Sequence, residues 1–273
     1  MLNSATIRNH VNIVGQSSNT APVLIMAHGF GSDQTAWRYL IEAFAPKYRI
    51  VLFDHVGSGK SDFNAYSPHR YKSLHSFTHD FLEICHELNL QQVTLIAHSV
   101  SCMVGLLAAS LEPNRFKQLF FISASPCYLN DRDYIGGFEQ ADLDRIYAAM
   151  SSNYYAWASG FAPLVMGNAD HPELAVEFAK SLLAMRPDIS QAIARIIFQS
   201  DHRADLHKLA TPTTIIQPKH DVAVPVAVGQ YLAKHIPHSN LILTDTDGHL
   251  PHLSSPDIVI SAIANYLQPL MLE

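Results

Sequence analysis

Hydrophobic residues fall into short, unbroken runs in the first half of the chain. Val23–Ala27, Arg49–Phe53, Val93–Ala97 and Leu119–Ser123 are apolar almost throughout. Between them lie stretches of a different period. In Ser76–Leu88, the apolar residues Phe77, Phe81, Ile84, Cys85 and Leu88 recur at three- and four-residue spacing. Fully apolar strands alternating with amphipathic helices predict a parallel sheet covered on both faces. From about Pro126 to Arg203 the strand pattern stops. Helical periodicity covers Phe138–Met150, Tyr154–Phe161, Glu173–Met185 and Pro187–Phe198. Strand patterns resume at Thr213–Gln217 and Asn240–Thr244. Both flanks are needed to complete one sheet. The expected organisation is a single α/β core, residues 1–126 and 204–273, interrupted by a helical cap at 127–203.

Composition narrows the picture. The chain has 273 residues, 48% hydrophobic and 15% charged. That is enough apolar material to bury a core without disulfides or metal, and it excludes a disordered chain. Eighteen Lys and Arg stand against 24 Asp and Glu, a net charge of −6. An acidic balance argues against a nucleic-acid partner. Cys85, Cys102 and Cys127 form no CxxC pair, which fits a reducing compartment. Met1–His10 has no apolar core, so no signal peptide is read. The longest apolar run, Val93–Ala109, contains His98, Ser99 and Ser101 and is too short to span a bilayer. The expectation is a cytoplasmic protein without membrane contact.

Sixteen histidines raise the question of a metal. No H-E-x-x-H and no clustered Cys/His spacing is present, so none is expected. Gly57-Ser-Gly-Lys-Ser61 resembles the end of a phosphate-binding loop, but the required first glycine is Asp54. Neither Gly29-x-Gly31 nor Gly57-x-Gly59 has the third glycine of a dinucleotide fingerprint. No nucleotide and no other cofactor is expected.

The strongest chemical signal is Ala97-His-Ser-Val-Ser101. An apolar strand ends, a serine occupies the turn, and a small-residue apolar helix follows. This is the context of a nucleophile elbow, whose tight turn needs small residues two before and two after the serine. A hydroxyl needs a base, and the base needs an orienting carboxylate. In this architecture the order along the chain is Ser, acid, His. Asp221 follows the strand pattern at 213–217, and His249 follows the one at 240–244. Ser99 is therefore read as nucleophile, His249 as general acid and base, and Asp221 as its orienting acid. His252 remains a rival base, and Asp245 and Asp247 remain rival acids, though they are too near His249 in sequence to reach its ring easily. His28-Gly-Phe-Gly31 follows the first strand, where oxyanion donors belong. The backbone N–H groups of Phe30 and Val100 are the expected pair. The helical segment is rich in aromatics. Some are expected to border an apolar cavity above Ser99, suited to a small hydrophobic ester or lactone.

The chain resembles α/β-hydrolases of the RsbQ type, regulators of bacterial stress sigma factors, and equally their plant relatives, the karrikin and strigolactone receptor hydrolases. The matching stretches are His28-Gly-Phe-Gly-Ser-Asp-Gln-Thr-Ala-Trp37, Asp54-His-Val-Gly-Ser-Gly-Lys-Ser-Asp62, Ala97–Ser101 and Ser125-Pro-Cys-Tyr-Leu-Asn-Asp131. Others are Gly136-Gly-Phe-Glu139, Asn153-Tyr-Tyr-Ala-Trp157, Phe198-Gln-Ser-Asp-His-Arg203 and Gly248-His-Leu-Pro-His252. The resemblance implies an α/β-hydrolase fold with a V-shaped four-helix cap, and the triad Ser99, Asp221 and His249. It implies substrate contacts at Phe30, His98, Tyr128, Phe138, Trp157, Phe161 and Phe198, alongside Val100. It further implies slow turnover tied to signalling, with a phosphatase-like partner if the source is bacterial, the favoured source. In a plant the implied partners are a ubiquitin-ligase adaptor and a repressor.

Overall fold

The computed structural model describes residues 4–18 and 20–267. Met1–Asn3, the start of the stretch read as lacking a signal sequence, lie outside the described residues. Seven strands form one sheet: β1 (Asn12–Gly15), β2 (Val23–Ala27), β3 (Arg49–Phe53), β4 (Val93–His98), β5 (Phe116–Ile122), β6 (Thr213–His220) and β7 (Ser239–Asp247). Their order across the sheet is β1-β3-β2-β4-β5-β6-β7. All neighbours run parallel except β1, which pairs antiparallel with β3 at the edge. The helices are α1 (Ala5–Arg8), α2 (Arg38–Phe44), α3 (Leu74–Glu87), α4 (Val100–Leu111), α5 (Gln140–Ser152), α6 (Tyr154–Met166), α7 (Pro172–Leu183), α8 (Pro187–Phe198), α9 (Val226–His235), α10 (Pro251–Ser254) and α11 (Pro256–Tyr266).

Alternation along each strand divides the core in two. On β2, Ile25 and Ala27 turn to the layer that holds Phe81 and Ile84 of α3 and Val104 and Ala108 of α4. Leu24 and Met26 turn to the other layer, against Leu40 and Phe44 of α2 and Val259 and Ile263 of α11. This two-sided cover is why the central strands carry apolar residues on both faces.

A charged cluster lies under α1. The Asp80 carboxylate of α3 accepts Arg8 at 3.0 Å and the Tyr71 hydroxyl at 2.6 Å, and Arg70 also reaches it. Arg8 and Asp80 are 2% and 1% exposed. Removing one member strands a buried charge, a loss that typically costs ~3–5 kcal/mol. Asp80→Ala is therefore expected to be among the most destabilising single substitutions in the core, read as a lowered urea midpoint at an unchanged m-value.

Helices α5–α8 all lie between β5 and β6 in sequence. The two ends of this insertion meet. Cys127 bridges to Asp201, the His202 N–H donates to the Pro126 carbonyl at 2.8 Å, and Arg203 bonds both Asp131 and Asp201. Ile189 and Ile193 of α8 lie against the loop at Gly57 after β3. That loop is built around Asp54, whose carboxylate takes the N–H groups of Gln34 at 2.9 Å and Lys60 at 2.8 Å. Within Gly57–Ser61 the Lys60 amide is thus turned to an internal carboxylate and the Gly57 amide to the Ser61 hydroxyl.

Candidate active site

β4 sits at the centre of the sheet, buried over its whole length. It ends at Ser99, whose backbone has φ 55 and ψ −123. A positive φ at a non-glycine residue is strained, and such strain clusters at functional sites. Two bonds hold the turn: the Ser99 N–H donates to the Ile122 carbonyl of β5, and the Cys102 N–H to the Ser99 carbonyl, both at 2.9 Å. The two small positions flanking the turn, Ala97 and Ser101, are wholly buried. Ser101 does more than fit. Its hydroxyl donates to the His28 carbonyl and pairs with His55 Nε2 at 2.7 Å. It therefore ties α4 to the loops after β2 and β3.

The structure brings Ser99, His249 and Asp221 into one line. His249 Nε2 is 2.8 Å from Ser99 Oγ, and His249 Nδ1 is 2.8 Å from Asp221 Oδ2. All three residues are less than 10% exposed. The other Asp221 oxygen accepts the N–H groups of Ala223 at 2.8 Å and Val224 at 3.1 Å, so the carboxylate is fixed before it meets the ring. With Nδ1–H donating to Asp221, the Nε2 lone pair faces the serine hydroxyl.

The rivals for these roles fall elsewhere. Asp245 is exposed and pairs with Lys219 at 3.2 Å, and Asp247 is exposed. His252 is fully buried, stacked on Trp37 with ring centroids 4.6 Å apart. Neither of its ring nitrogens has a hydrogen-bond partner.

His98, expected beside the ligand, lies 2% exposed behind the base. Its ring is 4.9 Å from His249 and 4.5 Å from His252. Its Nε2 donates to the His249 carbonyl at 2.8 Å, so it holds the His249 backbone.

Burial pushes the ring of His252 down to about 3, with His249 and Arg38 adding to the effect. Burial also holds His55 and His98 well below the ordinary histidine value, next to other imidazoles. The three rings are neutral when folded and take up protons on unfolding below pH about 6.5. The unfolded chain thus binds more protons there, so their contribution to stability is complete above that pH. It is lost progressively as pH falls from about 6.5 toward 3. His252→Phe, which keeps the stack on Trp37, is expected to flatten the slope of unfolding free energy against pH in that window.

The residues expected to supply the oxyanion donors, Phe30 and Val100, line one recess. Val100 is the first residue of α4, where helix N–H groups have no partner within the helix. Phe30 follows β2, half-buried. The Tyr128 hydroxyl is 3.4 Å from Ser99 Oγ. Its ring packs on Phe198 at 5.1 Å and Phe138 at 6.4 Å, and those two pack on each other at 5.8 Å. Trp157 stacks on Phe161 at 5.0 Å. A small apolar recess borders the site. It is lined by Phe30, Val100, Val104, Phe77, His55 and, from α8, Ile193 and Ile197. Its free volume is about 20 Å³, room for a single water. Among the described residues no group of His, Cys, Asp and Glu is arranged to hold a metal. No helix among them is long and apolar enough to cross a membrane.

A serine on a strained strand-to-helix turn, with a histidine and an aspartate on the loops after the last two strands, is the arrangement of the α/β-hydrolase fold. The chain belongs to that family: the family model described as alpha/beta hydrolase fold matches residues 22–256. The chain is 42% identical over 261 residues to a protein named Karrikin insensitive 2 receptor CA from Petunia hybrida, covering 95% of each. It is 41% identical over 248 residues to a strigolactone esterase of Arabidopsis thaliana, covering 90% of this chain and 91% of that one. Among solved structures, a hydrolase from Oleispira antarctica superposes with a TM-score of 0.92 at 35% identity, covering 96% of this chain and 95% of that one. The resemblance read from the sequence to karrikin and strigolactone receptor hydrolases holds over nearly the whole chain, helical insertion included.

Proposed function

We propose that this protein hydrolyses small hydrophobic esters or lactones, butenolide-like in kind, through Ser99, His249 and Asp221. The observation that carries the reading is the continuous line of hydrogen bonds, 2.8 Å at each step, from a strained serine to a buried carboxylate. Ser99 Oγ attacks the substrate carbonyl while its proton passes to His249 Nε2. The backbone N–H groups of Phe30 and Val100 hold the developing oxyanion. His249 returns the proton to the departing oxygen, leaving an acyl-Ser99. A water, deprotonated by His249, then attacks the acyl carbon, and the acid leaves with Ser99 restored. Burial pushes the Tyr128 phenol up, so it stays a neutral hydroxyl beside Ser99 through the cycle.

In this reading residues 127–203 act as a cap over a core made of 1–126 and 204–273. The ligand site in this reading lies beside Ser99, between the recess at Phe30 and Val100 and the ring cluster of Tyr128, Phe138 and Phe198. The relatives named receptor and esterase support an activity coupled to signalling. A signalling partner, phosphatase-like in a bacterial source, belongs to this proposal. A second reading keeps the pocket but makes turnover dispensable, the protein acting as a small-molecule receptor. p-Nitrophenyl acetate and butyrate are expected to be hydrolysed far faster than the octanoate, and a butenolide is expected to shift the melting temperature. Equal rates for the octanoate would contradict a small pocket. Full complementation of a signalling defect by Ser99→Ala would favour the receptor reading over the hydrolytic one.

A further inference from the structure

The sequence pattern ends a helix at Phe161, and Gly160 and Pro163 are ordinary stop signals. In the structure α6 runs one turn further, to Met166, capped by Gly167 in the left-handed region at φ 70. That extra turn lies against the histidine loop. The His249 N–H donates to the Val165 carbonyl at 2.8 Å. The Asn168 side chain donates both amide hydrogens, one to Met166 O at 2.6 Å and one to Asp247 O at 3.1 Å. The adjacent Gly248 N–H donates to the His220 carbonyl at 2.8 Å, next to Asp221. Backbone meets backbone here. Gly248 has φ +83, and a Cβ on it would lie 1.8 Å from the Met166 oxygen. Only glycine combines that dihedral with that approach.

The two polar backbone groups of His249 thus have different owners. Its carbonyl is held by His98, on the strand that carries Ser99. Its N–H is held by a helix of the insertion. Carbonyls in the last turn of a helix have no intrahelical partner, so Val165 O is free for this bond. The same helix end carries partial negative charge, which favours the imidazolium that forms when His249 takes the serine proton.

We propose that the last turn of α6 is a positioning element for His249, with Asn168 as its clamp. Asn168 touches neither Ser99 nor the ring of His249. It acts by fixing the helix end to the loop on which the base rides. Phe161 and Trp157 lie one and two turns back from Val165 on the same helix, so a ligand that moves them moves the support of the base. This inference rests on the hydrolase reading for its kinetic consequence, but not for its geometry.

The test compares wild type with Asn168→Ala and Asn168→Asp in the full chain. The aspartate keeps the size and removes both donors, facing two carbonyls with a carboxylate. Two quantities are read on folded protein. One is the rate at which a fluorophosphonate labels Ser99. The other is the downfield proton resonance of His249 Nδ1–H. Displacement of a catalytic group by about 1 Å can cost ~10²-fold, so labelling is expected to fall about tenfold for Ala and further for Asp. The resonance is expected to broaden or vanish in the same order. Asn168→Ser, which keeps one donor, is expected to restore part of both, and it serves if the other variants do not fold. A merely structural role lowers the melting temperature and leaves both quantities alone. Variants that fold, label within twofold of wild type and keep the resonance overturn the proposal. If wild type itself is not labelled, the hydrolase reading fails, and the resonance alone decides the clamp.

Discussion

Ser99→Ala is expected to abolish ester turnover, by about 10⁵–10⁶-fold in kcat, the scale seen when a triad nucleophile is removed. The fold should survive. Among the described residues Ser99 Oγ hydrogen-bonds His249 and, weakly, Tyr128, while the strained turn is held by the backbone bonds of Ser99 and Cys102. Alanine keeps those bonds. The loss therefore lies in the chemical step, because among the described residues no other hydroxyl is bonded to the His249 ring. Tyr128 O lies 3.4 Å from Ser99 Oγ but is not bonded to His249, and burial raises its pKa. Substrate affinity, measured by thermal shift with the same butenolide, should stay within threefold. A variant that retained a tenth of the wild-type rate would place the nucleophile elsewhere.

Asp221→Asn is expected to be the next most damaging change, about 10⁴-fold in kcat. The side chain keeps its size, so Oδ1 can still accept from Ala223 and Val224. The amide then points its NH2 at His249 Nδ1, which must accept. That moves the ring proton to Nε2, where it meets the serine hydroxyl instead of receiving from it. The pH profile separates this from simple unfolding: activity should recover partly at high pH, where hydroxide can deprotonate Ser99 without the histidine. Asp245→Asn and Asp247→Asn should leave the rate unchanged, since both residues are exposed and His249 Nδ1 is paired with Asp221 instead.

Much of this arrangement was legible because the sheet is buried on both faces. Val23–Ala27 and Arg49–Phe53 are strands over the ranges their apolar runs mark. β5 begins three residues before its run, at Phe116-Lys117-Gln118, because polar side chains at a strand's start break the pattern. β1 leaves no such mark: it is four residues long, mostly exposed and antiparallel at the edge. The helices α2, α9 and α11 turn only two or three residues each into the core, too few to stand out as a periodic face.

The candidate site was legible for a related reason. Strand ends in a parallel sheet place loops at one edge, so a serine, an acid and a histidine after three strands meet there. What the sequence hid depends on tertiary packing. α6 continues past Gly160 and Pro163 because Val165 and Met166 are buried against Leu250 and Leu253, which outweighs the local stop signals. That hidden turn is the one that reaches His249. His98 was expected at the ligand and His252 as a rival base, yet both rings are buried, 4.5 Å apart, with His98 4.9 Å from the ring of His249. Of the cap aromatics, Tyr128, Phe138 and Phe198 pack on one another beside Ser99, and an apolar recess lined by Phe30, Val100, Ile193 and Ile197 borders the site.

The central claim is that Ser99 forms an acyl intermediate, and pre-steady-state release of p-nitrophenolate from p-nitrophenyl acetate tests it most directly. The account predicts a fast phase whose amplitude approaches one equivalent per protein, followed by slower turnover, with intact mass raised by one acetyl group on the Ser99 peptide. The fast phase should vanish in Ser99→Ala. Release at the buffer rate, or a burst that persists in Ser99→Ala, would contradict it.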